Sequence, residues 1–356
     1  MEGTENITTT QQEPLISIII ASYNSRNTIG DALYSITTQD MKDEIEVLIV
    51  DDCSEDPARD VIEKYGDDLN IVLLKTPYNG GPGNAKELGA IYATGKWMMF
   101  LDSDDELVPD VLLDNIETIK NANEFMIRFY FEEWVNGKMV KVMKEQSSWL
   151  HGKLYNRKFW EAHNIHFVKD LRTHEDTYIA TLLNTICIPR QLGHRLIKTP
   201  LYKWKHRANS ITTTRYEVDG REHGFLEVYF LDYLRSTSGA YKEEYLAGRL
   251  TDKEFIKTNL LAILLLEYFY MQSFYFEEGE HVITKNIDYA RKELQEYKTL
   301  TGMSNKDIYN MAAANRAKIY ADAYNTSLIG VKQYIPKYAL EDWLDFLDKD
   351  EEKEEV

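Results

Sequence analysis

The chain has 356 residues, and its 59 acidic side chains outnumber the 41 basic ones, which gives a formal net charge of −18. Hydrophobic residues make up 44% and charged residues 28%, which is the composition of a folded globular protein of about two or three domains. The acidic excess argues against a protein that holds nucleic acid through a broad basic face, because such binding depends on attraction to phosphates.

The sequence predicts a cytoplasmic protein without transmembrane insertion, with peripheral association at the inner face of the membrane as an alternative. Residues 1–13 are polar, lack the features of a secretory signal and are interpreted as a flexible tail. The richest apolar run, residues 260–266, is shorter than the about 20 residues that cross a bilayer. Two cysteines, Cys53 and Cys187, are too few for a disulfide scaffold and favour a reducing compartment.

Short apolar segments alternate with amphipathic segments through the first hundred residues. We predict strands at residues 15–21, 46–50, 71–74 and 97–101, and helices at residues 28–38, 57–65 and 82–93. This order predicts an α/β fold, in which a Rossmann-like, mostly parallel sheet is flanked by helices. Ligands of such sheets bind beyond the carboxyl ends of the strands, so the residues after each strand are the candidates for a functional site.

The second half of the chain has a different pattern. Two β-rich runs within residues 125–142 flank Asn136-Gly137, which is typical of a hairpin turn, and a helix is predicted to begin near Glu175. Long helical stretches are predicted at residues 222–235, 252–276, 284–298 and 306–324. The predicted organisation is a tail at residues 1–13, an α/β domain at residues 14–215, a mainly helical domain at residues 216–347 and an acidic tail at residues 348–356. The aromatic segment at residues 268–276 suits core packing, a homo-oligomer interface or an acceptor or membrane-surface contact.

An Asp-x-Asp motif follows the fourth predicted strand. Asp102 and Asp104, on either side of Ser103, can project two carboxylates to one side and hold a divalent cation together with phosphate oxygens. A solvated acidic loop is the alternative interpretation of such a short motif. Its place directly after a buried strand favours the metal site.

Two further strand ends carry groups that suit a nucleotide. Asp51 and Asp52 can accept hydrogen bonds from a nucleobase or a ribose, or cap the next helix. Residues 79–89 are rich in glycine, and Lys86 supplies a cation near a helix N-terminus, which suits a diphosphate. A glycine-rich turn with a solvated lysine is the alternative, because neither a Walker A nor a dinucleotide-binding motif is present.

Four motifs occur in an order that is typical of one enzyme family. They are Ala21-Ser22-Tyr23-Asn24, Val50-Asp51-Asp52-Cys53-Ser54, Asn79-Gly80-Gly81 through Asn84-Ala85-Lys86, and Leu101-Asp102-Ser103-Asp104-Asp105. Over about residues 14–215 the chain thereby resembles the family-2 glycosyltransferases. The resemblance implies a GT-A fold and an inverting transferase that uses a nucleotide-diphosphate sugar, taken as a UDP-sugar, with manganese or magnesium.

The resemblance also implies roles for individual residues. The implied donor-binding residues are Ala21, Tyr23, Asp51, Asp52, Asn79, Lys86, Asp102 and Ser103, and the implied metal ligand is Asp104. Lys86 stands where the family usually has arginine, which keeps the charge but loses the bidentate geometry.

The resemblance places the catalytic base on the helix that is predicted near Glu175. Asp176 is the implied base and Glu175 its support or an acceptor-binding residue; an exposed helical first turn is the alternative. His206 lies in a segment that resembles the part of the family that closes the donor site. It is either a third metal ligand, a diphosphate contact or neither, and the neighbouring Tyr202 and Trp204 can instead pack against the sheet.

The favoured acceptor is a hydroxyl of a cell-surface polysaccharide, a teichoic acid or a glycan precursor. One alternative is phage-type glycosylation of hydroxylated DNA bases, which the acidic charge opposes and a basic patch at Lys203, Lys205 and Arg207 supports. The other is a non-catalytic module that binds a sugar nucleotide. The complete Asp102/Asp104 and Glu175/Asp176 sets oppose that alternative.

Overall fold

The computed structural model describes residues 5–6, 13–144, 149–169, 171–188, 190–207, 216–218, 221–223, 230–250, 284–308 and 310. The chain divides into two compact units, Met1–Ser210 and Ile211–Val356. The predicted helix at 252–276, its aromatic segment and the charged tail at 348–356 lie outside the described residues.

The first unit is built on one sheet. Its strands are β1 (Glu5–Asn6), β2 (Ile16–Ser22), β3 (Ile45–Asp51), β4 (Asn70–Lys75), β5 (Trp97–Phe100), β6 (Glu106–Leu107), β7 (Met126–Val135), β8 (Lys138–Met143), β9 (Lys153–Asn156) and β10 (Arg195–His206). Their order across the sheet is β1-β4-β3-β2-β5-β9-β7-β10-β6, and β8 pairs with β7. Strands β4, β3, β2 and β5 run parallel to one another, whereas β9 is antiparallel to both β5 and β7.

Helices cover this sheet. They are α1 (Ile29–Thr37), α2 (Arg59–Ile62), α3 (Pro82–Tyr92), α4 (Val111–Asp114), α5 (Ile116–Asn121), α6 (Arg157–Ala162) and α7 (Glu175–Cys187). Strand β2 is buried on both faces, as its unbroken apolar run requires: Ile18 and Ile19, which point to opposite faces, have no exposed surface. Helix α3 lies close to β2 because it carries Gly89, where a Cβ atom would stand 2.4 Å from Ile19 Cγ2.

The second unit is described in part. Strands β11 (Tyr216–Val218) and β12 (Arg221–His223) form an antiparallel pair, and α8 (Phe230–Leu246) packs against α9 (Thr284–Thr301). The Tyr245 hydroxyl donates to the Leu300 carbonyl oxygen, and Lys242 Nζ lies 2.9 Å from Glu296 Oε2. Residues 221–223 form a strand where a helix was predicted, and the observed helix begins at Phe230. None of the described helices is long and apolar enough to cross a membrane.

The predicted α/β fold, with its parallel strands flanked by helices, is confirmed. The four predicted strands agree with β2 to β5 to within one residue at each end. The predicted hairpin is formed by β7 and β8, and its turn has positive φ at Asn136 (50°) and Gly137 (72°), as a type I′ turn requires. The predicted helix at 57–65 is shorter, because Glu63–Tyr65 continues α2 as a 3₁₀ turn.

Candidate active site

The carboxyl ends of the parallel strands meet at one edge, and three chain segments converge there. They are the acidic loop after β5, the N-terminal half of α3 and the first turn of α7. Lys86, on α3, joins them: its Nζ lies 3.0 Å from Asp102 Oδ1 and 2.8 Å from Glu175 Oε1. These three residues are far apart in sequence, so the fold alone creates the cluster.

The Lys86 ammonium is buried, with 3% of the residue exposed. Burial acts to lower the pKa of Lys86, but the charges of Asp102 and Glu175 outweigh it and hold that pKa above its ordinary value. In the same way, burial acts to raise the pKa of Asp102, whereas Lys86 and His151 hold it below its usual range. The cation predicted to face a diphosphate therefore lies between two carboxylates, and it favours the ionised form of Asp102.

Asp52 shapes the glycine-rich loop. Its buried carboxylate accepts hydrogen bonds from the Thr76 hydroxyl (2.8 Å) and from the amides of Gly80 (3.2 Å) and Gly81 (2.8 Å). Gly81 has φ of 89°, in the region that favours glycine, and a Cβ atom there would stand 2.7 Å from the Leu171 carbonyl oxygen. The loop is thus held between the tip of β3 and the segment before α7.

The remaining residues predicted to bind the donor surround the same edge. Asp51 Oδ1 accepts a hydrogen bond from the Ser54 amide, and Ala21 is half-buried one residue before the end of β2. The Tyr23 side chain is about half exposed. The Asn79 carboxamide oxygen accepts a hydrogen bond from Arg172 Nη1.

The acidic loop after β5 carries three aspartates in different environments. Ser103 and Asp104 are half-buried, and burial together with the charge of Asp102 raises the pKa of Asp104. Asp105 is buried; its carboxylate accepts hydrogen bonds from the Tyr202 hydroxyl (2.8 Å) and the Lys205 amide (2.7 Å). Burial and the two neighbouring aspartates raise the pKa of Asp105 well above its ordinary value. A bound cation would reduce the electrostatic repulsion among these three aspartates.

Asp102, Asp105 and His151 could hold a metal ion, because their ligand atoms lie within 4.8 Å of one another. His151 stacks on Tyr202 with ring centroids 4.5 Å apart, which fixes its orientation toward Asp102. Carboxylate oxygens with one imidazole nitrogen suit Mn²⁺, and the oxygens suit Mg²⁺. The metal ligands predicted from the sequence, Asp104 and His206, are not in this set. His206 Nε2 lies 2.9 Å from Glu133 Oε1, and Asp104 Oδ2 lies 3.6 Å from Arg207 Nε.

Asp176 lies half-buried in the first turn of α7, which begins at Glu175 as predicted. Burial and the charge of Glu175 raise its pKa to about 7, although Lys86 opposes the shift. The Thr177 amide and hydroxyl both donate to Asp176 Oδ1, at 2.6 and 3.3 Å, which fixes the direction of the carboxylate. A carboxylate that titrates near neutral pH has the property that a general base needs.

The sequence analysis did not assign chemistry to His151, Lys153 or Arg128. They lie on or near β7 and β9, whose antiparallel pairing brings Lys153 opposite Arg128. The short run His151-Gly152-Lys153 was the only local signal. Only the pairing of β9 with β5 and β7 shows that this run faces the acidic edge.

Comparisons with known proteins agree with this arrangement. The family model "Glycosyl transferase family 2" matches residues 17–171. The poly(ribitol-phosphate) beta-N-acetylglucosaminyltransferase TarS of Staphylococcus aureus is 31% identical over 182 residues, which are 45% of this chain and 30% of TarS. The putative glycosyltransferase EpsH of Bacillus subtilis is 27% identical over 257 residues, 65% of this chain and 70% of EpsH. The chain therefore corresponds to about 30% of the length of TarS.

A solved structure shares the architecture. The crystal structure of S. aureus TarS 1-349 in complex with UDP-GlcNAc superposes with a TM-score of 0.61 at 20% sequence identity, over 83% of each chain. The shared architecture is an α/β fold of the GT-A type. Over residues 17–171 the chain is similar to glycosyl transferase family 2.

Proposed function

We propose that this protein is an inverting glycosyltransferase, which moves a sugar from a UDP-sugar to a hydroxyl of a teichoic acid, another cell-surface glycan or its precursor. One observation carries the proposal: Asp176, with a pKa of about 7, adjoins Glu175, which Lys86 joins to Asp102 of the acidic loop. The name of TarS and the UDP-GlcNAc in its crystal structure support the donor and the acceptor class.

The reaction is a single displacement at the anomeric carbon. Asp176 takes the proton of the acceptor hydroxyl, whose oxygen then forms the new bond to that carbon. The bond from the carbon to the diphosphate oxygen breaks on the opposite face, and the electron pair leaves with the nucleotide. Glu175, which is held by Lys86, keeps Asp176 basic enough to accept the proton at neutral pH.

The donor side is assigned to the strand-end residues. Ala21, Tyr23 and Asp51 would contact the nucleoside, while Asp52 keeps the loop after β4 in place for Asn79 to reach the donor. Asp102, Asp104, Asp105 and His151 would hold a divalent metal, which supplies positive charge to the leaving diphosphate when it is bound. Asp102 and Ser103 would also face the ribose or the sugar.

The substitution Asp176→Asn tests the base. We expect turnover to fall by about 10²- to 10⁴-fold, because the amide cannot take a proton, while UDP binding stays within about twofold. Transfer is measured with radiolabelled UDP-sugars and UDP binding by calorimetry. The matched control is Asp114→Asn, which removes an exposed carboxylate on α4. Full transfer by Asp176→Asn would remove this residue from the mechanism.

The alternative acceptor, hydroxylated DNA, loses support from the contacts of the basic patch. Lys203 Nζ lies 3.5 Å from Glu106 Oε2, Lys205 also pairs with Glu106, and Arg207 lies beside Asp104. These acids neutralise the charge that phosphates would need. Transfer to poly(ribitol phosphate) compared with duplex DNA that contains hydroxymethylated bases separates the two acceptors. Release of UDP, with and without Mn²⁺, separates an enzyme from a non-catalytic binding module.

A further inference from the structure

A group of basic side chains on β7, on β9 and just before β10 lies close to Asp176. Arg128 on β7 is directly opposite Lys153 on β9, so that their side chains lie on the same face of the sheet. His194 precedes β10, in which Leu196 pairs with Arg128. His194 is close enough to Arg128 and Lys153 for their charges to act on its imidazole.

The charges of this group act on one another and on the base. The Lys153 ammonium lies close enough to Asp176 to be attracted by its carboxylate and close enough to Arg128 to be repelled by its guanidinium. Burial, with Arg128 and Lys153, lowers the pKa of His194. Lys153 is 4% exposed, and its ammonium donates to the Trp149 carbonyl oxygen. Arg128 and Lys153 therefore place positive charge beside His194, which is itself neutral at neutral pH.

Arg128 also has a hydrogen-bond donor that faces no acceptor among the described residues. Its Nε is buried and makes no hydrogen bond within the part of the chain that the structure describes. A buried N–H without an acceptor costs free energy, and such atoms are rare unless a ligand supplies the acceptor. The neighbouring positive charges indicate that this acceptor is an anion.

We propose that Arg128, Lys153 and His194 bind a phosphate group of the acceptor substrate. The inference rests on the proposed function, because it takes Asp176 as the base. In an in-line displacement the diphosphate of the donor leaves on the face opposite the base, so an anion beside Asp176 belongs to the acceptor. Guanidinium and ammonium groups together are the usual protein ligands of phosphate.

This assignment narrows the acceptor to molecules whose reacting hydroxyl lies a few bonds from a phosphate. Two sources share that chemistry: the phosphodiester between the alditol units of a polymer, and the diphosphate that joins a sugar to a lipid carrier. A neutral polysaccharide would offer no anionic acceptor to the buried Nε of Arg128.

The test compares acceptors with and without phosphate. A ribitol-phosphate oligomer and a short-chain N-acetylglucosaminyl diphospholipid represent the two sources, and ribitol and methyl N-acetylglucosaminide are their uncharged counterparts. We expect Arg128→Gln to lower the ratio of kcat/KM for a phosphate acceptor to that for its uncharged counterpart by about 10- to 100-fold, through KM. The phosphate acceptor for which Arg128→Gln lowers this ratio identifies the acceptor class. An unchanged ratio for both sources overturns the inference.

Arg195→Gln is the matched control. Arg195 is a neighbouring basic residue on β10 that pairs with Ile127, one position from Arg128 and therefore on the other face of the sheet, and its Nη2 lies 2.6 Å from Glu124 Oε1. The substitution makes the same change in net charge and should leave the ratio within about twofold. An equal fall of the ratio in both variants would show a general charge effect and overturn the site.

A measurement on the unaltered protein covers the case in which Arg128→Gln does not fold. Methyl phosphate should inhibit transfer in competition with the phosphate acceptor and not with the UDP-sugar. Competition with the UDP-sugar alone would place the anion on the donor side and overturn the inference. UDP release from UDP-sugars by the unaltered protein tests the proposed function separately. If UDP is released but Arg128→Gln leaves the ratio unchanged, only the phosphate site is rejected. If no UDP is released, both proposals are rejected.

Discussion

Lys86 shows how one buried side chain connects the two halves of the site. Its ammonium contacts Asp102, which follows β5, and Glu175, which begins α7. The charge of Lys86 acts to lower the pKa of Asp102 and that of Asp176, so one cation affects both the acidic loop and the proposed base. An arginine would offer two parallel donors to one carboxylate, whereas the lysine divides a single charge between two.

Replacing Lys86 with methionine should destabilise the protein strongly. The substitution leaves the buried carboxylate of Glu175 and the partly exposed carboxylate of Asp102 without their cation, which costs about 3–5 kcal/mol of the free energy of unfolding. Urea unfolding measures the change. Lys120→Met, which removes an ion pair between Glu44 and a lysine that is 40% exposed, should cost about 1 kcal/mol or less. Equal costs for the two variants would show that Lys86 is not the link described above.

We expect the pKa of Asp176, the proposed base, to set the pH dependence of transfer. Burial and Glu175 raise this pKa to about 7, so the base is protonated and inactive below that pH and becomes active as the pH rises through it. We expect kcat/KM to increase tenfold per pH unit below about pH 6 and to level off above about pH 8. A profile measured at constant metal and donor concentrations checks this. A flat profile across that range would contradict the role of Asp176.

At the scale of elements, local patterns predict only part of the sheet. Strands β2 to β5 were predictable because each is an unbroken apolar run between turn residues, and the start of α7 because its first turn is acidic. Strand β9 has only four residues, and β10 is rich in charged residues and contains Pro200, so neither has a clear strand pattern. Their pairing partners, which are distant in sequence, define them.

In the site, too, features that lie within a few residues of sequence could be predicted, whereas contacts between distant segments could not. The Asp-x-Asp motif and the Glu175-Asp176 pair each lie within a few residues, so spacing and resemblance identify them. The contact between Lys86 and Glu175, or between His151 and Asp102, depends on the topology of the whole sheet. No local pattern indicates such a contact.

The glycine-rich loop offers a test at this scale. Gly81→Ala would place a methyl group 2.7 Å from the Leu171 carbonyl oxygen and strain a backbone with φ of 89°. We expect a loss of about 2–4 kcal/mol in the free energy of unfolding and weaker UDP binding, because the loop must move away from Asp52. Gly137→Ala has positive φ but open space, and should cost only about 1–2 kcal/mol. Similar losses in both variants would show that backbone strain alone matters.

At the scale of the whole molecule, the first unit contains the complete sheet and every residue assigned to the site. We expect a fragment of residues 1–210 to unfold cooperatively, with about 5–15 kcal/mol of stability, and to bind UDP. A fragment of residues 1–192 lacks β10, which pairs with both β7 and β6, and should not fold. Circular dichroism and calorimetry measure both outcomes. An unfolded 1–210 fragment would show that the first unit depends on the rest of the chain.

The reversed direction of β9 has a consequence for the evolution of specificity. Because β9 runs against β5, its beginning rather than its end lies at the active edge, and Lys153 is the first residue of the strand. In the mechanism proposed above, the donor is bound by turns that follow parallel strands, whereas the acceptor is bound at the start of an antiparallel strand. Substitutions at the start of β9 and in the segment before it can therefore change the acceptor specificity without changing the donor specificity.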